Sequence, residues 1–199
     1  MKSRSLVLVR HCESAVDRLK SPHSWDLNDR GLVDSLALAT SDIIVDASVI
    51  AAGSEPKMVH SLEPMAGRLG VNVVKSSDFM ESHSSGWFSD GDFHLVVRRF
   101  FDQPDVSPAP GWETADDAIR RLMSGLRDLD KRVGESRKGP IVVCSGGRLL
   151  TAFLVSIGIL NRKVAFDAWR AIRMPDICIV DFDHEGNSAV AIPFGHELW

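Results

Sequence analysis

Leu6-Val7-Leu8-Val9-Arg10-His11 decides how the rest of the chain is read. Four consecutive apolar residues between Ser5 and Arg10 make a strand buried on both faces. Such strands belong to parallel sheets covered by helices. The apolar run stops at Arg10-His11, so a guanidinium and an imidazole stand at the strand's C-terminal end. That is the rim where an open parallel sheet has its ligand crevice.

Apolar runs recur at residues 48–52, 71–74, 141–144 and 177–181, with helix-period segments between the first four. The helices are predicted over residues 32–44, 57–69, 92–102, 114–133 and 148–157. In the fourth, Ile119, Leu122, Met123, Leu126 and Leu129 recur every three or four residues and mark its buried stripe. The alternation predicts an α/β fold, a three-layer α/β/α sandwich with a mostly parallel central sheet. Runs 177–181 and 189–192 flank His184-Glu185-Gly186-Asn187, whose Gly and Asn suit a tight turn, so the chain closes on an antiparallel edge hairpin. Residues 76–92 and 104–111, rich in Ser, Asp, Gly and Pro, read as long loops of the kind that line active sites.

With 199 residues, 44% of them hydrophobic, the chain is sized for one domain over residues 1–199. Its net charge of -4 leaves no basic face for a nucleic-acid backbone, which is excluded as a partner. No apolar run approaches the roughly 18 to 20 residues of a membrane span, and the N-terminus passes straight into a strand. A cytoplasmic protein that does not engage membranes is expected. Cys12, Cys144 and Cys178 are an odd number without paired spacing, as for reduced thiols, and predict neither disulfide nor metal site.

Residues 6–14, ending in Arg10-His11-Cys12-Glu13-Ser14, resemble the RHGE[ST] signature of the histidine phosphatase, or phosphoglycerate mutase-like, superfamily. The resemblance continues in order. Leu27-Asn28-Asp29-Arg30-Gly31 is similar to the family's L-T-x-x-G, and Gly53-Ser54-Glu55-Pro56-Lys57 to its S-S-x-x-[RK]. Glu81 falls where an acidic residue is expected. Gly111-Trp112-Glu113-Thr114 resembles G-E-S, Val142-Val143-Cys144-Ser145-Gly146-Gly147 resembles V-V-S-H-G-G, and residues 169–176 resemble W-x-x-[IL]-x-x-P. The resemblance implies a phosphoric monoester hydrolase acting on a small phosphorylated molecule without metal or organic cofactor. His11 is then the nucleophile that becomes phosphohistidine, and Glu81 the acid that protonates the leaving group. Arg10, Lys57, Ser145 and Gly146 hold the phosphate.

Those residue types suit the chemistry, because phosphoryl transfer is mostly positioning and neutralisation of oxygen charge around a neutral nucleophile. Arg10 offers a planar fork for two oxygens and Lys57, where arginine is common, a point charge. Glu81 serves as an acid if burial raises its pKa. Two other departures from the family pattern bear on activity. Cys12 replaces a glycine and is expected to narrow the pocket. Ser145 replaces the second histidine, which on the scale of losing one preorganised donor costs about 10²- to 10³-fold in rate. Ser145-Gly146-Gly147 also reads as a turn into a helix whose free N–H groups attract phosphate without catalysis, and it is not a nucleophile elbow, since Val143 stands where glycine is needed. His60 or His83 is a candidate substitute for the absent imidazole. Trp87 and Phe88 form either a lid or an anchor of their loop.

Two other functions stay open. One is a non-catalytic member of the same fold that binds a phosphate ligand or a protein partner. The other is a cysteine-dependent phosphatase using Cys12, suggested by the H-C-x5-R spacing to Arg18; against it, Glu13 and Asp17 put negative charge into what would be the phosphate loop.

Overall fold

A computed structural model describes residues 4–41, 46–85, 88–134, 139–183 and 187–196. Six strands form one sheet: β1 (Arg4–Arg10), β2 (Val49–Gly53), β3 (Val74–Ser76), β4 (Ile141–Ser145), β5 (Asp176–Phe182) and β6 (Ser188–Ile192). Their order is β3-β2-β4-β1-β5-β6. The first four are mutually parallel, while β5 runs antiparallel to β1 and to β6. The predicted α/β sandwich and antiparallel hairpin are both present. The hairpin turn at His184-Glu185-Gly186 lies outside the described residues.

Side chains alternate across a strand, and the core divides accordingly. Leu6, Leu8, Ala51, Ile141, Val143 and Cys178 are buried against α3 (Asp90–Asp102), α4 (Ala115–Val133), α5 (Gly147–Ser156) and α6 (Ala165–Ala171). Val7, Val9, Ile50, Ala52, Val142 and Ile177 are buried on the opposite face with α1 (Asp29–Ala39) and α2 (Pro56–Arg68). Arg10 continues the even-numbered face of β1, which aims its side chain at the α5 and α6 layer.

Local chemistry sets the helix ends. The Asn28 side chain accepts from Gly31 N at 2.8 Å, so α1 starts three residues before its predicted first residue, and it ends at Ala39 with Thr40 as cap; predicted residues 42–44 lie outside the described ones. Thr114 caps α4, Asp116 and Asp117 fill its first turn, and Gly134 at φ +66 stops it. The predicted stripe is correct: Leu122, Leu126 and Leu129 are buried, with Ile119 and Met123 packed beside them. Strand β3 begins at Val74, later than predicted, because residues 71–73 do not pair with β2. The short helix α6 has no counterpart in the predicted elements; with seven residues it offers too little periodicity to detect.

Candidate active site

At the C-terminal rim of β1 lies a cavity of about 430 Å³ whose lining includes Arg10, His11, Lys57, Glu81 and Arg148. Trp25, Phe88, Phe93, Trp112 and Trp169 add aromatic rings to its walls. Parallel strands deliver His11 and Gly147 from one rim, and the antiparallel β5 brings its beginning to the same rim, where Asp176 pairs with Arg10. Arg10 donates through Nη1 to the Ile172 carbonyl, and its Nε has no hydrogen-bond partner among the described residues. Burial lowers the Arg10 pKa against the opposing pull of Glu81 and Asp176, and a guanidinium remains charged regardless.

His11 is 8% exposed, and its Nδ1 lies 2.7 Å from the carbonyl of Cys12. A carbonyl only accepts, so Nδ1 carries the proton and Nε2 keeps its lone pair. Burial, with the charge of Lys57 and then of Arg10 adding to it, lowers the His11 pKa to about 4. The ring is therefore neutral at physiological pH.

Lys57 stands in the first turn of α2, only 5% exposed, and its backbone N–H donates to the Trp25 carbonyl at 3.1 Å. Its ammonium donates to the Pro22 carbonyl and pairs with Glu55, a carboxylate only 1% exposed. Burial would raise the Glu55 pKa, but the adjacent His23 ring and the Lys57 charge hold it at about 2. Glu55 also accepts from Glu81 N at 2.8 Å and lies 3.2 Å from His23 Nδ1. This buried anion, which the motif reading passes over, fixes both the lysine and the start of the Glu81 loop.

Glu81 takes the N-terminus of α5. Its Oε2 accepts from Arg148 N at 3.0 Å and its Oε1 from Leu149 N at 3.0 Å and Ser82 N at 2.7 Å. A Cβ on Gly146 would overlap this carboxylate, which is why the residue before the helix is glycine. The Arg148 guanidinium lies 3.6 Å from Glu81 Oε2, donates to the Ser82 carbonyl at 3.0 Å and stacks over Trp112 with 4.6 Å to the ring centroid. Arg121 ties the loop down from α4: it donates to the carbonyls of Ser77, Asp78 and Met80 and pairs with Glu113, which in turn accepts from His83 N.

The model of the histidine phosphatase superfamily (branch 1) matches residues 6–193. The chain belongs to the histidine phosphatase superfamily. Solved structures agree on the fold. A mycobacterial glucosyl-3-phosphoglycerate phosphatase superposes with a TM-score of 0.78 at 16% identity, over 98% of this chain and 100% of that one. The Bacillus stearothermophilus protein YhfR gives 0.77 at 16%, over 96% of each chain. A phosphoserine phosphatase from Entamoeba histolytica, bound to 3-phosphoglyceric acid, gives 0.70 at 13%, over 98% of each. No curated protein matches the sequence.

Arg10, His11, Lys57 and Glu81 share one cavity, whereas Ser145, Gly146 and Cys12 are engaged elsewhere and the Glu81 pKa moves against expectation. The Ser145 hydroxyl, fully buried, donates to the Phe79 carbonyl at 2.7 Å and is not part of the cavity lining. Nor does Gly146 line the cavity; it makes room for Glu81, which occupies the N–H groups of Arg148 and Leu149. The Glu81 pKa is lowered, not raised: burial pushes it up, but Arg148 and the backbone N–H groups outweigh that. Cys12 does not narrow the pocket, because its side chain packs with Val9, Leu38 and Met58 in the opposite layer. Burial raises that thiol to about pKa 11 and Arg18 is exposed, so the cysteine-dependent mechanism lacks both its nucleophile and its loop.

Neither proposed replacement imidazole reaches the cavity lining. His60 pairs with Asp26 at the surface, and His83 stacks on His23 with centroids 5.3 Å apart. Phe88 meets Trp112 edge-on at 5.9 Å and lines the cavity; Trp87 lies outside the described residues. Glu55 and Arg148 are the site residues that sequence reasoning missed. The signal for Glu55 was its place beside Lys57 before α2, and for Arg148 its place one residue inside α5. No described helix is long and apolar enough to cross a membrane.

Proposed function

We propose that the protein hydrolyses phosphate monoesters through a phosphohistidine at His11. The observation that carries this reading is that a neutral imidazole, with its Nδ1 held by a carbonyl, lines one cavity with the guanidinium of Arg10 and the ammonium of Lys57. Nε2 attacks phosphorus, the ester P–O bond breaks, and the leaving oxygen takes its proton from Glu81, protonated beside the bound phosphate dianion. Arg10 and Lys57 offset the charge on the phosphoryl oxygens. Water then attacks the phosphohistidine, loses a proton, and releases inorganic phosphate with the imidazole restored.

Glu81 is ionised in the free protein, a form suited to the second half-reaction, in which it takes the proton of the attacking water. Its use as the acid of the first half requires the incoming phosphate dianion, a like charge beside it, to raise its pKa. Such phosphatase activity is in keeping with the phosphatases among the structural neighbours, and the buried thiols with a cytoplasmic setting.

Phosphate release from a panel of small monoesters without added metal tests the reading. Rapid-quench labelling should trap a phosphoenzyme that His11→Ala abolishes and Cys12→Ser retains. A second reading, a phosphate-binding protein without turnover, is favoured by the engagement of Ser145 with Phe79 and of Glu81 with α5. Saturable binding of inorganic phosphate with no labelling and no release on any ester would select it.

A further inference from the structure

Arg148 is a buried guanidinium, 6% exposed, on the wall of the cavity. Its Nη2 donates to the Ser82 carbonyl, while its Nη1 is buried with no hydrogen-bond partner among the described residues. A buried donor left unmade is destabilising, and a ligand group that accepts from it relieves that. The charges that act on His11 are Lys57, Arg10 and Glu55. Arg148 acts instead on Glu81 and lies over Trp112, with Phe93 5.9 Å from the guanidinium. Arg148 is thus a further cation on the cavity wall, beside Glu81 and set against aromatic rings.

We propose that Arg148 and the rings of Trp112 and Phe93 form a leaving-group subsite that selects phosphate esters whose body is flat and apolar and carries a second anionic group. The subsite rests on the phosphate reading of the His11 end. The rings bury the apolar body, and the Arg148 fork takes the carboxylate or second phosphate.

Titration calorimetry with unreactive phosphonates tests this without requiring turnover. The wild-type protein should bind 3- or 4-carboxyphenylphosphonate about tenfold or more tightly than phenylphosphonate, the worth of one charge-assisted hydrogen bond. It should bind 4-(aminomethyl)phenylphosphonate more weakly than phenylphosphonate. Arg148→Gln should erase the preference, and Arg148→Lys should keep a reduced one. Equal affinity of the wild type for all three ligands overturns the subsite, as does a preference that survives Arg148→Gln. Equal weakening of all ligands and of inorganic phosphate by Arg148→Gln also overturns it and moves Arg148 to the phosphoryl end. Wild-type protein that binds neither phosphonates nor inorganic phosphate sinks the underlying phosphate site. Because the comparison among ligands is made on the wild type, it holds even where a variant fails to fold.

Discussion

His11 shows how one hydrogen bond and burial prepare a side chain. The carbonyl of Cys12 selects the Nδ1–H tautomer, and the surrounding protein, with Lys57 and Arg10, keeps the ring uncharged. Imidazole NMR should show this tautomer unprotonated down to pH of about 5, with a titration near 4; protonation around the ordinary 6.5 would contradict the burial of the ring. Gly146 makes the opposite point, since its function is to lack a side chain. Gly146→Ala should evict the Glu81 carboxylate from α5 and lower stability by about 1 to 3 kcal/mol in urea unfolding, the scale of stranding buried N–H donors.

At the scale of elements, the site depends on how loops are tied to helix ends. The N-terminus of α5, an anion-attracting end, is filled by Glu81 from the chain itself, and Glu81 is in place because Arg121 on α4 holds the carbonyls of Ser77, Asp78 and Met80. Arg121 is not in the cavity lining. Arg121→Met should therefore raise hydrogen exchange over residues 77–85 and leave α1 unchanged, while stability falls by about 1 to 3 kcal/mol. Uniform exchange along the chain would show that the loop is not anchored from α4.

Across the whole molecule, buried ionisable groups couple the site to acid stability. The folded pKa of His11, about 4, lies below the ordinary 6.5, so the unfolded chain binds the extra proton and stability falls as pH drops from 6.5 through 4. Glu55, at about 2 against an ordinary 4.5, adds a second loss as pH falls from 4.5 toward 2. Each amounts to about 3 kcal/mol at full titration. In phosphate-free buffer, Glu55→Gln should lower stability at pH 7 and flatten the loss below pH 4.5 while keeping the loss between 6.5 and 4. An unchanged acid limb would assign that limb to other carboxylates.

The primary structure by itself determined the strand pattern, the parallel sheet, the order of the motifs and the placement of Arg10 and His11 at a strand end. These follow from local periodicity and from where an apolar run stops. Helix ends were less legible, because a cap such as Asn28 acts through a single hydrogen bond that leaves little mark on periodicity. Only the tertiary structure decided what the remaining polar residues do. Ser145 turns to Phe79, Cys12 packs into the far layer, Glu81 is held ionised by the charge and N–H of Arg148, 67 residues away, and Arg148 reaches the wall that Glu81 shares. Charge state and orientation are set by the surroundings of a side chain, and here those surroundings come from segments far apart in the chain.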